Sequence, residues 1–301
     1  MLVIEKKNLE KLLEELSKKS KTIDVRKNIL PVKQYFLPPE EQIFPNKKPE
    51  NEFILFGLSL RETEALIQLD KIMNEPEKDF FYIQKRNLST IVSIIEEDGH
   101  MPHVGIDLIL EKLNNNTYKA TIVSEKGRRI SKNKLFIEKN TPVHINSHSN
   151  NSMPELRKLL RNPELLSKAV EWSWKNYPKI WNELEEQCIG CGICTYVCPL
   201  CHCFSIENTC SLGGGACTRK RKWDACTLSG FAQISGGYNF HKTIKERYYN
   251  WFYHKFVRGY KEHGKPQCVA CGKCKEYCPA RIDIEKVLTE IVKKYEESIR
   301  T

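Results

Sequence analysis

The stretch CIGCGICTYVCP, residues 188–199, decides the fold of the C-terminal half of this 301-residue chain. Its cysteines follow the spacing C-x2-C-x2-C-x3-C-P, and the stretch CVACGKCKEYCP, residues 268–279, repeats that spacing in full. The spacing is typical of thiolates that hold a cubane [4Fe–4S] cluster. A zinc site usually takes its four ligands from two separated C-x2-C pairs, whereas here a third cysteine follows each pair at once. Because the same spacing occurs twice, we predict two [4Fe–4S] clusters.

The spacing within each copy also predicts which cysteines share a cluster. Three cysteines two residues apart can surround one cluster because Gly192 and Gly272 allow a tight loop. The fourth cysteine of each copy ligates the other cluster in two-cluster proteins of this kind. The predicted ligands of the first cluster are Cys188, Cys191, Cys194 and Cys278. The predicted ligands of the second cluster are Cys268, Cys271, Cys274 and Cys198.

A long insertion, residues 200–266, separates the two copies and contains five further cysteines. Buried inert thiols are one interpretation, but five cysteines within 26 residues exceed what packing requires. A third cluster is therefore an alternative to inert thiols. Its ligands would be Cys201, Cys203 and Cys226, with Cys210, Cys217 or a residue other than cysteine as the fourth.

The charge of the chain is basic, and this favours several kinds of partner. The formal net charge is +10, and residues 219–265 contain eleven Lys and Arg against three Asp and Glu. Basic residues interleaved with aromatic ones can bind single-stranded nucleic acid. They can equally dock an acidic redox partner, or offset the charge of roughly −2 that a cubane carries with its four thiolates. We rank the last two interpretations above nucleic-acid binding.

Hydrophobic periodicity predicts an α+β protein. We predict an α/β domain over residues 1–145 and a helical, bacterial-ferredoxin-like dicluster domain over 146–301, with the insertion between its halves. A polar, turn-rich linker is predicted at 141–154. Helices are predicted over 1–20, 154–186, 243–258 and 284–299. Strands are predicted over 53–56, 80–83, 88–95, 106–113, 118–123 and 134–138.

The hydrophobic pattern of the sequence argues against a membrane-spanning protein and against a secreted one. No apolar run approaches the ~18 residues that a membrane span needs. The charged start of the chain does not have the pattern of a secretory signal. We therefore expect a soluble, cytoplasmic protein.

Five stretches of the chain match the pattern of a known family: residues 188–204, 222–226, 236–240, 254–256 and 268–284. Through them the chain resembles the iron–sulfur β subunit of cytoplasmic sulfhydrogenases and the related A subunit of anaerobic sulfite reductase. One departure from that family is Arg61-Glu62, which stands where the family often has Cys-Asp.

The resemblance implies an electron relay. Members of that family pass electrons between a flavin subunit that handles NAD(P)H and a separate catalytic subunit. No acid–base pair or nucleophile triad is evident in the sequence, so we predict no catalytic residues and leave open whether the chain is an enzyme. Two alternatives are a nucleic-acid-binding iron–sulfur protein that uses residues 219–265, and a self-contained reductase with its substrate at the additional cysteines.

Overall fold

The computed structural model describes residues 1–46, 51–97, 104–139, 153–211 and 215–300. The predicted linker lies almost entirely outside the described residues. In chain order the strands are β1 (Leu2–Glu5), β2 (Lys21–Asp24), β3 (Glu40–Phe44), β4 (Phe53–Leu58), β5 (Ser89–Ile95), β6 (Leu108–Asn114), β7 (Thr117–Ile122), β8 (Phe136–Glu138), β9 (Phe204–Cys210) and β10 (Cys217–Trp223). The helices are α1 (Leu9–Lys19), α2 (Leu60–Ile72), α3 (Phe80–Leu88), α4 (Glu125–Ser131), α5 (Pro154–Leu160), α6 (Pro163–Asn176), α7 (Pro178–Gln187), α8 (Ile193–Tyr196), α9 (Ile244–Phe252), α10 (Gly259–His263), α11 (Lys273–Glu276) and α12 (Ile284–Arg300).

The chain divides into two compact units. The first unit comprises Met1–Leu37 and Lys48–Asn151, and the second comprises Pro38–Lys47 and Ser152–Thr301. The sequence-based bounds placed residues 38–47 in the N-terminal domain. The structure assigns them to the second unit because β3 pairs antiparallel with β10.

The first unit is built on a seven-stranded mixed sheet with the strand order β2-β4-β5-β6-β7-β1-β8. Strands β2, β4, β5 and β6 run parallel, and β6, β7, β1 and β8 pair antiparallel. Helix α1 buries Leu9, Leu12 and Leu16 in the core on this sheet. The mixed α/β character expected from the sequence is therefore present.

Two local predictions in this unit were wrong. Residues 80–83 form the start of helix α3, because Asp79 caps the helix by accepting a hydrogen bond from the Tyr82 N–H at 2.8 Å. This cap outweighs the strand propensity of the aromatic run. The predicted N-terminal helix begins only at Leu9, and β1 before it lies between β7 and β8 in the sheet.

The second unit combines a three-stranded antiparallel sheet, β3-β10-β9, with helices around an aromatic core. Trp181 and Phe252 are fully buried there, with their rings edge to face at 5.2 Å. A π-helix, Tyr253–Arg258, continues α9 into α10. The cysteine loops pack against this same core. None of the helices in the described ranges combines the length and apolar character that crossing a bilayer requires.

Candidate iron–sulfur site

The two cysteine repeats adopt the same backbone conformation. Each short helix, α8 or α11, begins after a left-handed glycine, Gly192 or Gly272, and both glycines have φ of +79°. A Cβ at Gly192 would lie 3.1 Å from the Ala225 Cβ, so any other residue would have to displace this neighbour slightly as well as adopt a φ that favours glycine. The repeat seen in the sequence is thus a structural repeat.

One pocket is formed by cysteines from both repeats. Ile282, Ile284 and Tyr248 provide part of its apolar lining. The four predicted ligands of the first cluster all line this pocket: Cys188, Cys191, Cys194 and Cys278.

A second pocket is the counterpart of the first. It is also lined by Lys255 and Met153. The four predicted ligands of the second cluster line this pocket: Cys198, Cys268, Cys271 and Cys274. The fold therefore brings together the two groups of four that the sequence predicted, each with its fourth cysteine from the other repeat. Cys274 lines both pockets, which places them side by side.

Main-chain N–H groups point at the sulfur atoms in a repeated pattern. In the first position of each repeat, Gly190 N donates to Cys188 Sγ at 3.4 Å and Ala270 N donates to Cys268 Sγ at 3.5 Å. The fourth cysteine of each repeat also accepts a hydrogen bond from a main-chain N–H group. Leu200 N donates to Cys198 Sγ and Ile282 N donates to Cys278 Sγ, both at 3.4 Å. Such N–H donors to sulfur are one of the means by which proteins set cluster potentials. Leu200 and Ile282 lie outside the two cysteine repeats, and the sequence did not predict that they would be donors.

Burial makes these thiols poor acids on their own. It raises the pKa of Cys194 and of Cys271 to about 12, and neighbouring cysteines add to the shift. Burial likewise raises the pKa of Cys188 and Cys268. A cluster of such sulfurs becomes thiolate only with a compensating positive charge, which bound iron supplies. The donor chemistry of the cysteines that line each pocket therefore fits a cubane cluster.

Part of the first pocket reaches the protein surface. Cys191 is exposed, and Ile189 beside it is 65% exposed. Cys198, which lines the second pocket, is buried. A cluster in the first pocket would therefore lie close to the solvent-facing surface of the protein.

Three cysteines of the insertion meet at the base of the β9–β10 hairpin. Cys203 precedes β9 and Cys226 follows β10, and these two side chains are hydrogen-bonded. Cys201 is hydrogen-bonded to Cys198, and the charge of Cys201 also acts on Cys226. These interactions raise the pKa of Cys201 and of Cys226 well above the usual range, with burial adding to the effect.

The remaining two cysteines lie at the other end of that hairpin. Cys210 and Cys217 form a disulfide, and the strands then pair continuously to Phe204 and Trp223. Six residue steps at ~3.3 Å separate the disulfide from the hairpin base by about 20 Å. This distance argues against Cys210 or Cys217 as the fourth ligand of a third cluster.

In the parts of the chain that the structure describes, no group of three or more His, Cys, Asp or Glu side chains converges tightly enough to hold a single metal ion. The cysteine groups instead surround open pockets.

Much of the basic charge in residues 219–265 is used inside the second unit. Arg221 and Arg247 are buried, with ion-pair or main-chain carbonyl partners. Lys220 and Lys222 pair with Glu40 and Glu207, respectively. These internal partners weaken the nucleic-acid interpretation, which needs the same cations to face a phosphate backbone.

Comparison with known proteins agrees with this geometry. Residues 187–282 match the family model described as a 4Fe-4S dicluster domain. That match identifies a 4Fe-4S dicluster domain in this part of the chain and supports [4Fe–4S] clusters as cofactors. The chain is a homologue of sulfhydrogenase 2 subunit beta from Pyrococcus furiosus, with 28% identity over 292 residues that cover 90% of this chain and 85% of the relative. No solved structure matches the chain. Domain and homologue together identify an iron–sulfur electron-transfer protein.

Proposed function

We propose that this chain is the electron-transfer subunit of an anaerobic oxidoreductase complex. It relays single electrons between a subunit that handles flavin and NAD(P)H and a separate catalytic subunit of the hydrogenase or sulfite/sulfur-reductase kind. The observation that carries the proposal is the pair of adjoining pockets, each lined by three cysteines of one repeat and by the fourth cysteine of the other, with Cys274 lining both. The homologue's description as a sulfhydrogenase subunit supports the assignment to a complex.

The residues around the pockets would perform three tasks. A cubane cluster supplies a site that gains or loses one electron with little movement of its ligands. The eight cysteine thiolates would hold two such clusters, with Cys198 and Cys278 tying each repeat to the cluster of the other. Main-chain donors such as Leu200 N and Ile282 N stabilise the sulfur charge. The aromatic core, including the buried Tyr248 ring, excludes water from one side of the first pocket.

A third cluster at the hairpin base is part of the proposal. Cys201, Cys203 and Cys226 would provide three thiolates, and the fourth ligand would be a residue other than cysteine. Because Cys201 is hydrogen-bonded to Cys198, this cluster would lie beside the second pocket and extend the relay. The route would then run from the exposed first pocket through the second to the third.

The experiment is iron and acid-labile sulfide analysis of the full chain after anaerobic reconstitution, followed by electron paramagnetic resonance of the reduced protein. We expect about eight of each atom per chain for two clusters and about twelve for three, at four per cubane. We expect Cys198→Ala to remove or degrade one cluster and Cys278→Ala the other. Stoichiometric zinc with little iron, or loss of the same cluster in both variants, would reject the assignment.

Cys210→Ser is the matched control for these two variants. It removes a cysteine of the same unit that lies about 20 Å along the strands from the hairpin base, and its sulfur is bonded to Cys217. We expect its iron and sulfide content to equal that of the unaltered protein. A loss of iron equal to that of Cys198→Ala would show that the analysis does not distinguish ligands from other cysteines.

A further inference from the structure

Lys255 is a buried lysine that points at a predicted cluster ligand. It lies in the π-helix Tyr253–Arg258, and only 3% of its surface is exposed. Its Nζ donates to Cys198 Sγ at 3.2 Å and to the Gln267 carbonyl oxygen at 2.9 Å. The same ammonium lies 5.2 Å from the centre of the Trp251 ring. The side chain is therefore held in one place by three different contacts.

This burial needs an explanation. Removing an ammonium group from water costs several kcal/mol unless opposite charge and hydrogen bonds compensate. A carbonyl and an aromatic face recover only part of that cost. A thiolate at Cys198 would supply the opposite charge, and a cysteine that ligates iron is a thiolate. The lysine and the cluster ligand thus account for each other's burial.

The position of Lys255 favours the second pocket over the first. Its charge acts on Cys198, Cys268 and Cys274, which are three of the four cysteines that line the second pocket. Among cysteines that line only the first pocket, its charge is felt at Cys194.

The first pocket has a buried cation of its own, but that cation is engaged elsewhere. Arg247 lies near Cys188, and its guanidinium donates to the main-chain carbonyls of Thr227, His241 and Lys242. The two pockets have similar main-chain donors, but within the described residues a buried cation contacts a predicted ligand sulfur directly only in the second one.

We propose that Lys255 is a positioning residue that fixes Cys198 and, through its charge, makes the cluster of the second pocket easier to reduce than the cluster of the first. The proposal rests on the proposed function. Adding an electron makes a cluster more negative, so a nearby cation in a poorly solvated interior stabilises the reduced form more than the oxidised form. Cluster potentials depend on net charge and on hydrogen bonds to sulfur, and Lys255 provides both at one atom. With the lysine present, an electron in the relay would reside preferentially on the second cluster.

The test is an anaerobic redox titration followed by electron paramagnetic resonance on the full reconstituted chain. Lys255→Met removes the charge and the donor, Lys255→Gln removes the charge and keeps a donor, and Lys255→Arg keeps both. Lys261→Met is the matched control, because it removes the same charge from an exposed lysine that pairs with Glu171.

We expect both neutral variants to make one cluster at least tenfold harder to reduce. This corresponds to a fall of 59 mV or more in the reduction potential of that cluster, for a one-electron step. The reduction potentials of the other clusters should change by less than half as much. Lys255→Arg and Lys261→Met should stay within threefold of the unaltered protein. The proposal would be overturned if no cluster in the neutral variants became more than threefold harder to reduce. It would also be overturned if Lys255→Arg changed a cluster potential as much as Lys255→Met does.

Loss of a cluster is also informative. If both neutral variants lose one cubane and Lys255→Arg retains it, the requirement for charge at this position is upheld. Loss in all three variants would show that only the shape of lysine matters and would overturn the electrostatic role. If the unaltered protein shows no cubane signal, the proposed function fails, and that result is distinct from any of these.

Discussion

Replacing Arg221 by methionine tests a buried ion pair on which the second unit depends. Arg221 is on β10, and its guanidinium lies 2.7 Å from a carboxylate oxygen of Glu41 on β3. The side chains are only 6% and 11% exposed. This pair joins residues 38–47 to the hairpin whose base carries Cys203 and Cys226.

The magnitude follows from the burial of the pair. Removing one partner of a buried ion pair leaves an uncompensated charge and costs about 3–5 kcal/mol. For a unit of this size, about 2–4 °C of the unfolding midpoint corresponds to 1 kcal/mol. Arg221→Met should therefore lower the midpoint by about 6–20 °C. The double variant Glu41→Met/Arg221→Met should be more stable than Arg221→Met, because no buried charge is left unpaired.

The neighbouring residue offers the control. Lys220 pairs with Glu40 at 2.6 Å, but these side chains are 40% and 48% exposed. An exposed pair contributes about 0–1 kcal/mol, so Lys220→Met should lower the midpoint by less than about 4 °C. The assay is thermal loss of cluster absorbance at one fixed scan rate, since unfolding that releases a cofactor depends on the rate of heating. Equal shifts for the two variants would refute the argument from burial.

Three further predictions concern the loops and the pH dependence. Gly192→Ala should destabilise the second unit by about 1–3 kcal/mol and reduce iron retention, whereas Gly230→Ala, which has no atom within 4 Å of the added Cβ, should do neither. Burial, aided by neighbouring cations, lowers the pKa of His254 to about 4 from 6.5, so the unfolded chain binds a proton that the folded chain excludes between these values. Stability should be complete above about pH 6.5 and fall as the pH drops toward 4, and His254→Gln should flatten the pH dependence of the thermal midpoint; equal slopes would contradict this. Converting both Cys210 and Cys217 to serine should leave the iron per chain unchanged, because the disulfide is remote from the pockets; a loss of about four irons would mean that one of them is a ligand.

The cysteine repeats were readable from the sequence because their chemistry is local. A cubane needs thiolates at short, fixed spacing and a loop that turns tightly, and both properties are visible within twelve consecutive residues. The repetition of that spacing predicted how the eight cysteines divide into groups, and the pockets bring together the same groups. Helices with a clear apolar stripe, such as α12, were also predicted close to their observed bounds.

Only the tertiary structure decided which distant residues meet. The pairing of β3 with β10 joins residues about 180 positions apart, and no periodicity in either strand encodes its partner. In the sequence, Lys255 appeared as a cation of the basic segment and as part of the stretch 254–256 that carries the resemblance. Its contact with Cys198 depends on how the π-helix packs against the cysteine loops. Spacing along the chain specifies short-range geometry, whereas burial and charge contacts across the core arise from long-range packing that a local pattern does not contain.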